Sequence, residues 1–109
     1  TCVRDYIHIQ DLAIAHVKSL DFLLKNKVKE VFNVGVGKGL SVLDIINSFE
    51  EANDLKLNYE IGPRRKGDIE KIYSDGNKIK NVLRWKANKN TREALISAWN
   101  WQIKKNKSI

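Results

Sequence analysis

Residues 3–17 read VRDYIHIQDLAIAHV, and the spacing of the apolar residues changes within them. From Val3 to Ile9 apolar and polar residues alternate, a pattern typical of a β-strand. Beyond this strand, four apolar residues fall on one stripe at helical spacing: Ala13, Val17, Leu20 and Leu24. The stripe predicts a helix over residues 12–24, for which Asp11 is the expected N-cap.

A second strand and helix are predicted on the two sides of a glycine loop. Residues 30–34 read EVFNV, a run that favours a strand, and residues 35–39 read GVGKG. Ser41 and Asp44 then form a variant of the capping box, which predicts a helix over residues 42–49. This order of strand, loop and helix indicates the α/β class.

The rest of the chain predicts shorter elements and one more long helix. Residues 57–61, LNYEI, favour a strand, and residues 72–75 are expected to be extended. Residues 77–83 predict a short helix, and Asn90 with Glu93 forms a capping box that starts the last helix. We therefore expect an α/β fold with short strands and three main helices.

The composition is that of a globular protein. Of 109 residues, 42% are hydrophobic and 30% are charged. Charges interrupt every apolar run before it reaches the ~20 residues that span a bilayer, so no membrane segment is expected. The single cysteine, Cys2, cannot form an internal disulfide, which favours the cytoplasm. The sequence contains no Met, and we therefore expect it to be part of a longer translation product.

The glycine loop allows two interpretations. Gly35, Gly37 and Gly39 between a strand and a helix are compatible with a dinucleotide-binding turn. The spacing G-x-G-x-x-G is missed by one residue, and no acidic residue ends a second strand about 20 residues later. Leu40 also follows Gly39 where a P-loop needs Lys. A tight turn that leads into a capped helix is the favoured interpretation.

The most charged segment is the loop Gly62-Pro63-Arg64-Arg65-Lys66-Gly67-Asp68. Its proline and glycines constrain the backbone, and guanidinium groups held in this way suit bidentate binding of phosphate oxygens. Asp68 can orient an arginine or accept a hydrogen bond from a sugar hydroxyl. Ordinary surface ion pairs explain the same residues equally well at this point.

Two other kinds of site are weakly indicated. The net charge of +7 and three Trp residues suggest nucleic-acid binding, but the lysines are scattered over several elements, so no nucleic-acid partner is expected. Cys2, His8 and His16 lack the spacing of metal ligands, so no metal site is expected.

Four stretches, in order, resemble UDP-glucose 4-epimerases. Arg4 to Val17 is similar to that family's signature R-D-Y-I-H-V-x-D-L-A-x-x-H-V. The other three are FNVGxGxG before SVL at residues 32–43, PRRxGD at residues 63–68, and LxW with WxWQ at residues 83–85 and 99–102. The resemblance covers essentially the whole chain.

The resemblance implies an extended short-chain dehydrogenase/reductase of Rossmann type, with residues 1–109 as its carboxy-terminal UDP-sugar-binding part. In that family a Rossmann half binds NAD and supplies a Tyr-x-x-x-Lys pair, and the enzyme oxidises and re-reduces C4 of UDP-glucose or UDP-galactose. The three tyrosines here lack a lysine four residues later, so the chain alone is expected to be inactive. Residues from about 1 to 35 are expected to pack with the Rossmann half, and the full enzyme to be a homodimer.

The resemblance also implies which residues hold the UDP-sugar. Arg4 and Tyr6 match the first contacts with uridine diphosphate, Arg65 matches the diphosphate clamp, and Asp68 matches the residue that fixes the ribose. Ile72 stands where family members carry either a large aromatic or a small residue beside the hexose. The expected substrate-binding set is Arg4, Tyr6, Arg65, Lys66, Gly67, Asp68 and Ile72. No catalytic, NAD-binding or metal-binding residue is expected in the chain.

Two alternatives stay open. One is a sister epimerase or dehydratase that acts on a different nucleotide sugar. The other is a basic module that binds nucleic acid or another polyanion, for which affinity would fall steeply with salt.

Overall fold

A computed structural model describes residues Thr1 to Lys107, and these residues contain four helices and two short strands. The elements are, in chain order, β1 (Val3–Arg4), α1 (Ile9–Asn26), β2 (Leu40–Ser41), α2 (Val42–Asn53), α3 (Asn77–Leu83) and α4 (Thr91–Lys107). Three helices are long and α3 has 7 residues. The expectation of short strands with three main helices is confirmed.

Strand β1 lies between two neighbouring segments. On one side it pairs antiparallel with β2, with Val3 opposite Ser41 and Arg4 opposite Leu40. On the other side Val3 forms a parallel bridge with Lys71, and the Ile72 N–H donates to the Val3 carbonyl at 3.0 Å. This small sheet therefore joins the start of the chain to residues 70–72.

The predicted strand over residues 3–9 is wrong beyond Arg4. Residues 5–8 are irregular, and α1 begins at Ile9. His8 is extended (φ −67°, ψ 137°), and its Nδ1 accepts the Gln10 N–H at 3.0 Å, so His8 is the N-cap. Asp11, the expected cap, lies in the first turn and is 2% exposed. Its carboxylate instead accepts the backbone N–H groups of Asn88 and Lys89.

The strands predicted over residues 30–34 and 57–61 are also wrong, because both segments are irregular. A strand requires a partner backbone, and within residues 1–107 neither segment forms a ladder. Phe32 and Val34 still direct their side chains against the core. The expected extended segment 72–75 contributes one ladder bond, from the Ile72 N–H.

The predicted helix starts that depend on capping boxes are confirmed. In α2 the Ser41 side chain accepts from the Asp44 N–H while the Asp44 side chain accepts from the Ser41 N–H. Asn90 and Glu93 exchange the same pair of bonds at the start of α4. Helix α3 has the predicted bounds.

The core lies between α1, α3 and the segment that follows α3. Its buried apolar residues are Ala15, Ile79, Leu83 and Trp85. The Trp85 indole donates to the Asp11 carbonyl at 3.1 Å, which ties this segment to α1. Helices α2 and α4 pack separately, with Phe49 edge-on to Trp99 at 5.6 Å between ring centroids.

The predicted apolar stripe of α1 faces away from this core. Val17 is 67% exposed and Leu24 is 68% exposed, whereas Ala15 on the inner face is buried. Within residues 1–107, no helix has the length and apolar character needed to cross a membrane.

Candidate functional site: two arginines and an internally filled glycine loop

The glycine loop holds a carboxylate of the chain itself. The N–H groups of Val36 and Gly37 donate to Oδ1 and Oδ2 of Asp5, at 2.8 and 2.9 Å. Gly37 has a φ of 87°, a left-handed conformation that favours glycine. Consecutive backbone N–H groups aimed at one point form a nest for an anion, and here Asp5 occupies it.

Two loop glycines are required by close packing. A Cβ on Gly35 would collide with the side chains of Asp5 and Ser74. A Cβ on Gly39 would lie 2.6 Å from Val3 Cγ1 and 2.9 Å from a ring carbon of Tyr73. The glycines thus let β1 and residues 73–74 approach the loop, in agreement with the favoured interpretation of a tight turn before a capped helix.

The pKa of the Asp5 carboxylate lies below its usual value. Partial burial opposes its ionisation, but hydrogen bonds from Ser74, Val36 and Gly37 outweigh that effect and lower the pKa of Asp5. The four donors are the Val36 N–H, the Gly37 N–H, the Ser74 N–H at 3.2 Å and the Ser74 hydroxyl at 2.7 Å. Sequence reasoning missed this role of Asp5, although the residue belongs to the recognised motif.

Arg4 and Ile72 follow the two residues of the parallel bridge. Val3 is in register with Lys71 in the parallel bridge, so the next pair along the two segments is Arg4 and Ile72. The Arg4 guanidinium donates from Nη1 to the Val3 carbonyl at 2.8 Å, and the Ile72 side chain is about half exposed. Tyr6 follows two residues after Arg4 and is partly buried.

The predicted phosphate-binding loop forms a tight turn over residues 65–68. The Asp68 N–H donates to the Arg65 carbonyl at 3.3 Å, and Gly67 has a φ of 86°. A positive φ at the third of four residues fits a type II turn. Lys66 and Gly67 are exposed at this turn.

The turn orients Arg65 through an ion pair. Arg65 Nε donates to Asp68 Oδ2 at 3.0 Å, and the arginine side chain is 84% exposed. An exposed pair of this kind adds little stability. It does fix the plane of the guanidinium, and the two terminal nitrogens are the fork with which arginine binds phosphate oxygens.

Arg65 and Asp68 line a cleft of about 380 Å³ with the first residues of the chain. Cys2, which leads directly into β1, is part of its wall. Arg64 lines the same cleft, and adjacent identical residues give no sequence signal for which arginine reaches a ligand. The structure therefore brings Arg65 and Asp68 together in an ion pair, whereas Arg4 and Ile72 each follow a residue of the Val3–Lys71 bridge.

The chain is similar to known nucleotide-sugar epimerases. No family model matches it. It is 43% identical to UDP-glucose 4-epimerase of Pasteurella multocida over 104 residues, which are 95% of this chain and 31% of that protein. It is 44% identical to UDP-arabinose 4-epimerase 1 of Arabidopsis thaliana over 103 residues, 94% of this chain and 24% of that protein.

A solved structure agrees with these relatives. UDP-glucose 4-epimerase from Stenotrophomonas maltophila, with bound NAD and formylated UDP-arabinopyranose, superposes with a TM-score of 0.95 at 38% identity. The match covers 100% of this chain and 32% of that one. The chain thus spans about a third of the length of the proteins it matches.

Fold and sequence together match about a third of a chain of the extended short-chain dehydrogenase/reductase class. Within that class, the sequence aligns over 94–95% of its length with part of several UDP-glucose 4-epimerases.

The glycine loop does not fit the NAD of that family. Its N–H groups at Val36 and Gly37, the donors that would hold a phosphate, already bind the Asp5 carboxylate. A dinucleotide phosphate at this loop would have to displace an internal anion. We therefore assign NAD no contact with the loop.

Proposed function

We propose that this chain is the UDP-sugar-binding, carboxy-terminal part of an enzyme that interconverts UDP-glucose and UDP-galactose by NAD-dependent oxidation and re-reduction at C4. The observation that carries the proposal is the turn over residues 65–68. It holds Arg65 against Asp68 at the edge of a cleft whose wall includes Cys2, the residue before β1.

The proposed site residues contact different parts of the UDP-sugar. Arg4 and Arg65 offer two guanidinium forks to a diphosphate of charge about −2, and Asp68 accepts from a ribose hydroxyl. Tyr6 contributes to the nucleotide contacts, Lys66 and Gly67 form the turn, and Ile72 lies beside the sugar. Anchoring the diphosphate away from C4 supplies binding energy without holding the sugar ring, which must turn over.

The remaining machinery belongs to a longer protein. NAD and the Tyr-x-x-x-Lys pair are assigned to a Rossmann half outside these residues, and residues from about 1 to 35 pack with it. The exposed apolar stripe of α1 supports this contact, because Val17, Leu20 and Leu24 have no cover within residues 1–107. We propose a homodimer in the cytoplasm, the latter supported by the free thiol of Cys2.

A pentose is the second candidate for the sugar. The similarity to a UDP-arabinose 4-epimerase, 44% identity, is as high as that to the UDP-glucose 4-epimerase of Pasteurella multocida. A pentose lacks the C6 hydroxymethyl group, and none of the proposed substrate-binding residues is assigned to that group. Other members of the same superfamily share the diphosphate site.

A coupled assay of the full-length protein with NAD tests the proposal. We expect conversion of UDP-galactose to UDP-glucose, and slower conversion of UDP-arabinose. Faster turnover of UDP-arabinose than of UDP-galactose would show that the preferred substrate carries a pentose and not a hexose. Turnover of neither sugar, together with binding of RNA that weakens steeply between low and moderate salt, would overturn the proposal in favour of a polyanion-binding module.

A further inference from the structure

We propose that Asp5 is a positioning residue that holds the two halves of the UDP-sugar site in register, an inference that rests on the proposed function. Asp5 stands between Arg4 and Tyr6 in the sequence, and its partner Ser74 lies two residues after Ile72. One carboxylate thus connects the segment that carries the diphosphate contacts to the segment that carries the sugar contact.

The backbone cannot make this connection alone. Strand β1 ends at Arg4, and the last ladder bond on its parallel side is the one from the Ile72 N–H to the Val3 carbonyl. Beyond these residues the two segments are joined by the Asp5 carboxylate, which accepts both the N–H and the hydroxyl of Ser74. The side chain therefore extends the pairing past the point where the ladder stops.

The glycine loop also holds the Asp5 carboxylate in place. Because Val36 and Gly37 donate to the same carboxylate, Asp5 is fixed from a third direction. Gly35 packs so closely against Asp5 and Ser74 that no side chain fits there. The carboxylate has little freedom to move. The backbone of its two sequence neighbours, Arg4 and Tyr6, is therefore held in place as well.

The charge of Asp5 also matters for where a phosphate binds. The Asp5 carboxylate repels a phosphate, and four hydrogen bonds hold this negative charge at the glycine loop. The same carboxylate fills the anion nest of the loop. A ligand diphosphate is thereby directed to the arginines and not to the loop.

The test compares Asp5→Asn and Asp5→Ala with wild type in the full-length protein. Asp5→Asn keeps the shape but turns one acceptor oxygen into a donor that faces other donors. We expect KM for the UDP-sugar, and Kd for UDP by calorimetry, to rise about tenfold, with Kd for NAD unchanged. Formate, a free carboxylate that fits the vacated nest, should partly restore UDP affinity in Asp5→Ala.

Asp21→Ala is the matched control, because Asp21 is an exposed acid on α1 that forms an ion pair with Lys25. It should leave both affinities at the wild-type values. If Asp5→Asn binds UDP as wild type does, or loses NAD and UDP affinity to the same extent, the positioning role is wrong while the proposed function stands. Wild-type protein that binds no UDP overturns both.

Discussion

Asp11 is a buried acid whose carboxylate accepts two backbone N–H groups. Its Oδ2 accepts the N–H groups of Asn88 and Lys89 at 3.1 and 2.8 Å, and its carbonyl accepts the Trp85 indole. These bonds fix the segment after α3 on the first turn of α1. A single residue thereby links the amino-terminal helix to a segment more than 70 residues later in the chain.

Replacing Asp11 by Ala should destabilise the protein. Two backbone N–H groups would lose their acceptor in a partly buried site, and the expected cost is about 2 kcal/mol. The measurement is the free energy of unfolding in urea. Asp21→Ala, which removes only an exposed ion pair, should cost well under ~1 kcal/mol. Equal costs for the two variants would contradict the role given to Asp11.

Ile72 is the residue through which we expect sugar specificity to be altered. Isoleucine leaves a partly open space, so the full-length enzyme should accept UDP-N-acetylglucosamine less well than UDP-glucose. Ile72→Tyr should abolish the N-acetylated activity by a steric clash and spare UDP-glucose. The measurement is the ratio of kcat/KM for the two sugars, with Ile69→Tyr as a control in the same segment. An unchanged ratio in Ile72→Tyr would remove Ile72 from the sugar site.

At the scale of elements, the glycine loop packs against β1 and the residue after it, and leads into α2. Gly35 is buried and touches the Asp5 and Ser74 side chains, whereas a Cβ on Gly62 would meet nothing within 4 Å. We expect Gly35→Ala to lower the melting temperature by several degrees, because the added methyl must push Asp5 off its donors. Gly62→Ala should change it little. A Gly35→Ala protein as stable as Gly62→Ala would show that the loop adjusts freely.

The helices were predictable from the sequence, whereas the predicted strands were correct only at Val3 and Arg4. The capping boxes at Ser41 and Asn90 involve residues three apart, so residues close in the sequence are enough to predict them. The strand expected at residues 30–34 depends on a partner backbone that residues 1–107 do not supply. His8 was missed as the cap of α1 because imidazole is not among the usual N-cap groups.

For the whole molecule, the roles proposed for individual site residues rest on the family resemblance. The motif at residues 63–68 gave Arg65 and Asp68, which the structure joins in an ion pair. No local pattern connects Asp5 to Gly37 or Ser74, since those partners are 32 and 69 residues away. Contacts over such separations are set by the tertiary fold, and the sequence alone does not specify them.

The distribution of exposed apolar surface predicts that the chain does not act alone. The purified 109-residue chain with added NAD should show no epimerase activity in a coupled assay, while the full-length protein turns over. The chain lacks the Tyr-x-x-x-Lys pair, and its glycine loop already holds Asp5. Turnover by the isolated chain above a heat-denatured control would contradict this prediction.

The most direct test of the UDP-sugar site is calorimetry of UDP binding to full-length Arg65→Ala and Arg64→Ala. Both arginines line the cleft, but only Arg65 is oriented by Asp68. Loss of a charge-assisted bidentate contact should cost about 2 kcal/mol or more, which is roughly a 30-fold rise in Kd. Arg64→Ala should raise Kd less than about fivefold. A larger loss in Arg64→Ala, or wild-type affinity in Arg65→Ala, would contradict the assignment.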